Sequence, residues 1–433
     1  MTLVEPVELA APDELGRVHF IAVGGAGMGP IAKLYAESGL AVTGCDRAPD
    51  SLGALAQAGV GVSLGHDPSH LEGVDTVVYS SAVRESNPEL AAARQRGLRV
   101  WHRSAGLAAL MIGQTGIAVS GTHGKTTTSG MLAHALTQLG ADPSYVIGSP
   151  LQGGSDHRLG GGGAFVVEAD ESDGSFLQYP AQIVVVTNIE ADHLDNWGTP
   201  QAYRAGFAKF ANQPAVAEVV VPPELVGLVR PGGPRVHRFT APEEPYELLA
   251  VGQHNQRNAA AAFAVCHDVL GFDADRVRAA LATYRGTRRR MELVAEVGGV
   301  KVYDDYAHHP TEVAATLAAA RSLPHKRLVV CFQPHLFTRT RDFAAEFAQV
   351  LSAADLAVVL DVYPAREDPI EGVTGRLVAD RVPQGAVYAE TLDQAVDELA
   401  RLARPGDLVI TMGAGSVTGI GPRLAAALSG GHG

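Results

Sequence analysis

Residues 117–127 read Ile117-Ala118-Val119-Ser120-Gly121-Thr122-His123-Gly124-Lys125-Thr126-Thr127. A short apolar run enters a glycine-bearing loop, and an Ala/Leu-rich stretch follows until about Gly140. That order predicts strand, loop and helix. Backbone N–H groups of such a loop cradle phosphates, helped by the positive end of the helix that follows. Lys125 would reach the terminal phosphates and the Thr126 hydroxyl would ligate Mg²⁺. The strict pattern asks for glycine five residues before Gly124, where Val119 stands, so this is a shortened variant. An ordinary helix start can also carry Gly-Lys-Thr-Thr, but the strand before it and the helix after it favour phosphate.

The same alternation runs outward in both directions. Apolar runs at Val18–Val23, Thr76–Tyr79, Phe165–Val167, Ile183–Thr187, Leu328–Phe332, Leu356–Leu360 and Leu408–Thr411 are separated by Ala/Leu-rich segments. Continuous apolar runs between helical stretches read as buried parallel strands with crossover helices, the α/β class. A chain of 433 residues exceeds one ordinary core. Three successive α/β units are expected, over residues 1–107, 108–290 and 291–433. The second boundary falls near Arg288–Gly299, just before a fresh strand at Val300–Tyr303.

Composition narrows the class. The formal charge of −13 comes without a Lys/Arg run, which argues against nucleic acid, and any phosphate site must therefore be local. Three distant cysteines, Cys45, Cys266 and Cys331, suit reduced thiols rather than a disulfide framework. The acidic first residues lack a signal-peptide pattern, and no apolar run is long enough to span a bilayer. A soluble, cytoplasmic protein that does not bind membranes is expected. The oligomeric state is not legible.

Further motifs close other strands. Glu168-Ala169-Asp170-Glu171-Ser172-Asp173 offers carboxylates to a nucleotide-bound Mg²⁺, although alone it would read as a solvated acidic loop. Asn188-Ile189-Glu190-Ala191-Asp192-His193-Leu194-Asp195 could hold a second divalent ion, Mn²⁺ being the alternative to Mg²⁺, or could simply pack its histidine at the loop. In His254-Asn255-Gln256-Arg257-Asn258, Asn255 either caps a helix or joins Asn258 near a base. Arg288-Arg289-Arg290 is either a solvated run or the source of one phosphate-contacting arginine. Asp304-Asp305-Tyr306-Ala307-His308-His309-Pro310 and Phe332–Arg341 carry groups suited to a carboxylate and an amine, with Arg339 able to pair a carboxylate in a planar fork. Gly24-Gly25-Ala26-Gly27-Met28-Gly29 resembles a dinucleotide-binding loop, but Pro30 takes its third glycine position.

Taken in this order and spacing, these motifs resemble the Mur ligases. Within that family, His19–Met28, GTHGKTTT, EADESDGSF, NIEADHLD, DDYAHHPTEV and FQPHLFTRTRD are most similar to members that join L-alanine to UDP-N-acetylmuramate with ATP. The resemblance runs from about residue 17 to residue 425. It implies a Rossmann-like UDP-binding domain, a central P-loop ATPase with a parallel sheet, and a C-terminal Rossmann-like amino-acid domain. It also implies that Gly121, Thr122, His123, Gly124, Lys125, Thr126 and Thr127 bind ATP, with Asn255 and Asn258 near adenine, Arg290 near the phosphates and Asp305 near the ribose. Thr126 and Glu168 would hold one Mg²⁺ and His193 a second. Gly24, Gly25, Ala26, Gly27, Met28 and Gly29 would take the UDP-sugar, and Tyr306, His308 and Arg339 would border L-alanine. Lys125, His308 and Arg339 are the expected catalytic side chains, and the base for the amine is either His308 or Asp305. Some members have arginine where Leu336 stands. Phe207 occupies the position of a carbamylated lysine found in related ligases, so none is expected here.

Overall fold

A computed structural model describes residues 3–365 and 367–430. The first apolar runs form five parallel strands, β1 (Val18–Ile21), β2 (Val42–Asp46), β3 (Gly61–Leu64), β4 (Thr76–Tyr79) and β5 (Arg99–His102), in the order β3-β2-β1-β4-β5. All four residues of β1 are buried, as a strand covered on both faces requires. The chain winds outward through β2 and β3, then returns to β4 on the other side of β1. This reversal is a topological switch point, and the glycine loop after β1 lies there.

The second sheet contains β6 (Thr115–Ser120), β7 (Ser144–Val146), β8 (His157–Arg158), β9 (Ala164–Glu168), β10 (Ile183–Val186), β11 (Glu218–Val221) and β12 (Arg235–Arg238). Its order is β12-β11-β10-β6-β9-β7-β8, parallel except where β8 runs against β7. Winding again reverses at β6, the strand that delivers the loop quoted above. A continuous apolar core joins these first two sheets, from Phe20 and Tyr35 through Phe165, Phe176, Tyr203 and Phe210. Burying each such ring contributes roughly 1.5–3 kcal/mol over leaving it in water.

The third sheet is β13 (Glu292–Val297), β14 (Val300–Asp305), β15 (Leu328–Phe332), β16 (Leu356–Leu360), β17 (Val387–Ala389) and β18 (Leu408–Met412). It is ordered β13-β14-β18-β15-β16-β17, with β13 antiparallel to β14. The span 288–299, which reads as a boundary in the sequence, thus contains a strand. Compact packing groups the residues up to Glu247 with Gln256–Tyr284, and Leu248–Asn255 with the residues from Arg285 onward. None of the helices is long and apolar enough to cross a membrane among the described residues.

Candidate active site

In the first unit, β6 ends at Ser120 and the helix Lys125–Gln138 begins after Gly124. Two glycines make the intervening loop possible. Gly121 (φ +132°) and Gly124 (φ +82°) lie where L side chains are strained. A Cβ on Gly121 would meet Thr187 Oγ1 at 2.1 Å, and one on Gly124 would meet Asn258 Oδ1 at 2.5 Å. Asn188 then pins the loop from the neighbouring strand end: His123 N donates to its Oδ1 at 3.0 Å, and its Nδ2 donates to His123 O at 2.9 Å. Thr187 Oγ1 adds a bond to the same carbonyl at 2.6 Å. Thr122, Thr126 and Thr127 are buried, and Thr122 Oγ1 bonds Glu190 O at 3.0 Å.

Lys125 Nζ donates to Gly121 O (2.7 Å) and Thr122 O (3.1 Å), and meets both oxygens of Glu171 at 3.0 and 2.9 Å. Burial alone would lower the ammonium pKa, but Glu171, Asp170 and Glu168 outweigh it and raise it. Glu171 is fully buried and also accepts from Tyr203 OH at 3.2 Å. Its burial pushes the carboxyl up to about 7 despite the pull of Lys125. Asp170 goes the other way: burial opposes its charge, but Arg103 and Lys125 hold its carboxyl below the usual range. Arg103 Nη2 lies 3.1 Å from Asp170 Oδ2.

Glu168 is the last residue of β9 rather than the first of the loop, and its Oε2 accepts from Gly148 N at 2.9 Å. His193 starts the short helix Leu194–Trp197 with φ +53°, and its Nε2 stands 3.6 Å from Asp192 Oδ2. Among the described residues, Glu168 and His193 belong to no group of three His, Cys or acidic donors within 4.8 Å of one another. A threonine hydroxyl and carboxylates beside a glycine cradle are nevertheless hard oxygen donors, which fits Mg²⁺.

The glycine loop after β1 turns at Ala22, whose φ of +58° is unusual for a residue with a side chain. Gly24 N donates to Asp46 Oδ2 at 2.9 Å. A Cβ on Gly27 would lie 3.0 Å from Arg103 Nη1, so one guanidinium touches both this loop and Asp170. Met28 is buried, Gly29 opens the helix Gly29–Glu37, and Pro30 falls in its first turn, where proline is at home.

In the helix Gln253–Ala264, Asn255 sits in the first turn and donates to Val251 O at 2.7 Å. The helix has already begun two residues earlier, so the side chain does not cap it. Asn258 is buried and contacts Gly124 as described.

The second unit gathers the remaining candidates. Asp305 closes β14, and its carboxylate accepts from Met291 N (2.8 Å), Ala307 N (2.9 Å) and Thr316 Oγ1 (3.1 Å). Burial raises its pKa, and Arg290 opposes the rise. Arg290 lies between Arg289 (φ +58°) and Met291 (φ +49°), and its guanidinium stands 5.4 Å from the Tyr306 ring centre. Such left-handed residues persist only where surrounding bonds impose them; Glu292 and Asp305 hold the two backbone amides here. His308 lies 5.2 Å from Tyr306 between ring centres, with Nδ1 3.0 Å from Tyr306 O. Burial, aided by Arg339 and Arg290 and opposed by Glu312, pushes His308 down to about 4. Arg339, in the helix Phe337–Leu351, is 8% exposed, which excludes a solvated helix-start arginine.

Three contributors escaped the sequence reading. Glu171 was one of several carboxylates in its run, and spacing alone did not say which would meet Lys125. Tyr203 lies on the helix Pro200–Ala211 with no motif around it. Arg103 is a lone arginine opening the helix Arg103–Leu110.

Known proteins resemble this chain along most of its length. Family models match in chain order: "Mur ligase family, catalytic domain" over residues 17–115, "Mur ligase middle domain" over 119–223, and "Mur ligase, glutamate ligase domain" over 289–415. The UDP-N-acetylmuramate–L-alanine ligase of Cutibacterium acnes is 51% identical, covering 99% of this chain and 100% of its own length. The ligase of the same name from a Nocardioides species is 49% identical over the same shares. Among solved structures, the UDP-N-acetylmuramate–alanine ligase of Thermotoga maritima aligns with a TM-score of 0.78 at 26% identity, covering 95% of this chain and 98% of that one. A murein peptide ligase from Psychrobacter arcticus aligns at 0.70 and 26%, covering 96% and 99%. With three models in register and relatives matched from end to end, the chain belongs to the Mur ligase family.

Proposed function

We propose that this protein joins L-alanine to the lactyl carboxylate of UDP-N-acetylmuramate, cleaving ATP to ADP and phosphate, in a cytoplasmic step of peptidoglycan precursor synthesis. The observation that carries this reading is the end-to-end likeness, near half identity, to two ligases of that name. The domain limits in this reading are 1–107 for the UDP-sugar, 108–290 for ATP and 291–433 for the amino acid.

In the first step a lactyl carboxylate oxygen attacks the γ-phosphorus, the bond to the β-bridging oxygen breaks, and ADP leaves an acyl phosphate behind. Catalysis of this step rests on positioning and charge neutralisation. The Gly121–Gly124 amides and Lys125 bind the phosphates, with Arg290 as a further cation, Asn255 and Asn258 beside adenine, and Asp305 at the ribose. Thr126 and Glu168 would hold one Mg²⁺ and His193 a second ion, which would supply neutralisation of phosphate charge. The Gly24–Gly29 loop takes the UDP diphosphate through its backbone N–H groups. In the second step the neutral amine of L-alanine attacks the acyl carbon, phosphate leaves, and the amine gives up a proton. Arg339 pairs the alanine carboxylate while Tyr306 and His308 border it. The proton acceptor is His308 or Asp305: burial keeps His308 uncharged and free to accept but also makes it a weak base, while Asp305 already accepts three hydrogen bonds.

The test is isotopic. ¹⁸O placed in the lactyl carboxylate is expected in the released phosphate. Unlabelled phosphate would exclude the acyl phosphate. Supplying L-alanine or a peptide as the amine separates this activity from that of a murein peptide ligase, the type to which the second solved structure belongs.

A further inference from the structure

Away from the nucleotide loop, the N-terminal sheet holds a buried set of metal-ligating side chains that no step above uses. His19 lies on β1 and Cys45 on the adjacent β2; Glu89 belongs to the helix Pro88–Gln95. One donor atom from each lies within 4.8 Å of the other two, and all three residues are buried. Cys45 Sγ is 2.7 Å from Glu89 Oε2, and His66 Nδ1 stands 3.1 Å from that sulfur and 3.2 Å from that oxygen. On the far side of the carboxylate, Oε1 receives His70 Nδ1 at 2.6 Å and Asp67 N at 3.2 Å, which orients Glu89.

His19 supplies the independent observation. It is 1% exposed, its Nε2 has no hydrogen-bond partner among the described residues, and that atom stops 3.7 Å from Glu89 Oε1. Its other nitrogen meets Thr43 Oγ1 at 2.9 Å. When Nδ1 donates to Thr43, Nε2 presents a lone pair to the cluster, the arrangement in which an outer hydrogen bond prepares a histidine for a metal. A buried acceptor without a donor costs stability, and a cation between His19, Cys45 and Glu89 would satisfy it.

We propose that His19, Cys45 and Glu89 bind one divalent ion of the zinc class, with His66 as the fourth ligand. Thiolate and imidazole ligands select such an ion over Mg²⁺. As the metal–sulfur bond forms, the S–H bond breaks and its proton passes to solvent. The ion would tie β1, β2 and the covering helix together next to the UDP loop, because Asp46, the residue after Cys45, holds Gly24 N.

The experiment uses the full chain stripped by a chelator and titrated with Co²⁺. One equivalent is expected to give sulfur-to-cobalt absorbance with the d–d bands of a four-coordinate ion, displaced by Zn²⁺. Cys45→Ser is expected to abolish that absorbance. His19→Gln and Glu89→Gln are expected to weaken Zn²⁺ by at least about tenfold. A Cys266→Ser/Cys331→Ser protein is expected to keep it, and in that background one equivalent of Zn²⁺ is expected to shield Cys45 from a thiol reagent. The shielding assay needs no change in the cluster itself. Absence of the charge-transfer band at one equivalent, its survival in Cys45→Ser, or no shielding by Zn²⁺ overturns the proposal.

Discussion

Replacing Lys125 by Met removes a charge but keeps a stem that fills the same space, so its effects on turnover and on stability can be separated. Turnover is expected to fall at least about a hundredfold, ~2.7 kcal/mol, as for other groups that stabilise transition-state charge. Stability follows from Glu171, which faces Lys125 from a fully buried position with its carboxyl raised to about 7. At about pH 7 that group is half protonated, so making it fully neutral costs only ~0.4 kcal/mol. Losing the bonds to Gly121 O and Thr122 O adds about 1 kcal/mol each, partly offset by no longer burying an ammonium. The sign of the pH dependence is fixed: a carboxyl raised above its unfolded value contributes stability at low pH that is lost as pH climbs through the folded value. Wild type has finished that loss by about pH 8, whereas Lys125→Met must keep Glu171 neutral and goes on losing ~1.4 kcal/mol per pH unit. The mutant's deficit from this group is therefore expected to grow by about 2.3 kcal/mol, from ~0.4 to ~2.7, between about pH 7 and about pH 9. Denaturant unfolding of both proteins at several pH values measures it, with phosphate release giving turnover. A deficit that stays constant with pH refutes the Lys125–Glu171 coupling, and near-normal turnover refutes the nucleotide site.

Gly27→Val places branched carbons against Arg103, and is expected to raise KM for UDP-N-acetylmuramate far more than KM for ATP; equal effects would detach this loop from the UDP-sugar. Arg339→Lys cannot reproduce a planar fork on a carboxylate, so KM for L-alanine is expected to rise strongly while the other substrates are little affected; an unchanged value removes Arg339 from the site. His308, pushed down to about 4, is expected to stay neutral through about pH 6 to 8, so kcat/KM carries no inflection from it there. An inflection near the ordinary histidine value that disappears in His308→Gln would contradict this burial. The same lowered value makes His308 a source of acid instability, since stability present above about 6.5 is lost as pH falls toward about 4.

The central strands were legible because burial on both faces writes itself as an unbroken apolar run: Leu328–Phe332 and Leu356–Leu360 match the structure residue for residue. Edge strands leave no such mark. Arg235–Arg238 and His157–Arg158 are largely polar, Glu292–Val297 mixes acidic with apolar residues, and all three are only partly buried, so none shows the unbroken apolar run of a central strand. Loop chemistry was readable where backbone geometry demands glycine, as at Gly121 and Gly124. Which carboxylate would meet Lys125 was not, because Glu168, Asp170 and Glu171 stand within four residues and only the fold separates their directions. Arg103 shows the same limit more sharply, since its value lies in touching two segments far apart in the chain.

The placement of β18 bears on how the protein is made. In the third sheet this late strand lies between β14 and β15 and hydrogen-bonds to both, so the centre of the sheet is completed by a strand translated well after both of its neighbours. The first two sheets have all their strands once Arg238 has been synthesised and can consolidate on the ribosome. The third must wait for Met412, with the flanks of β14 and β15 open to wrong partners until then. A stop codon just before Leu408 would thus leave two separated half-sheets instead of trimming an edge.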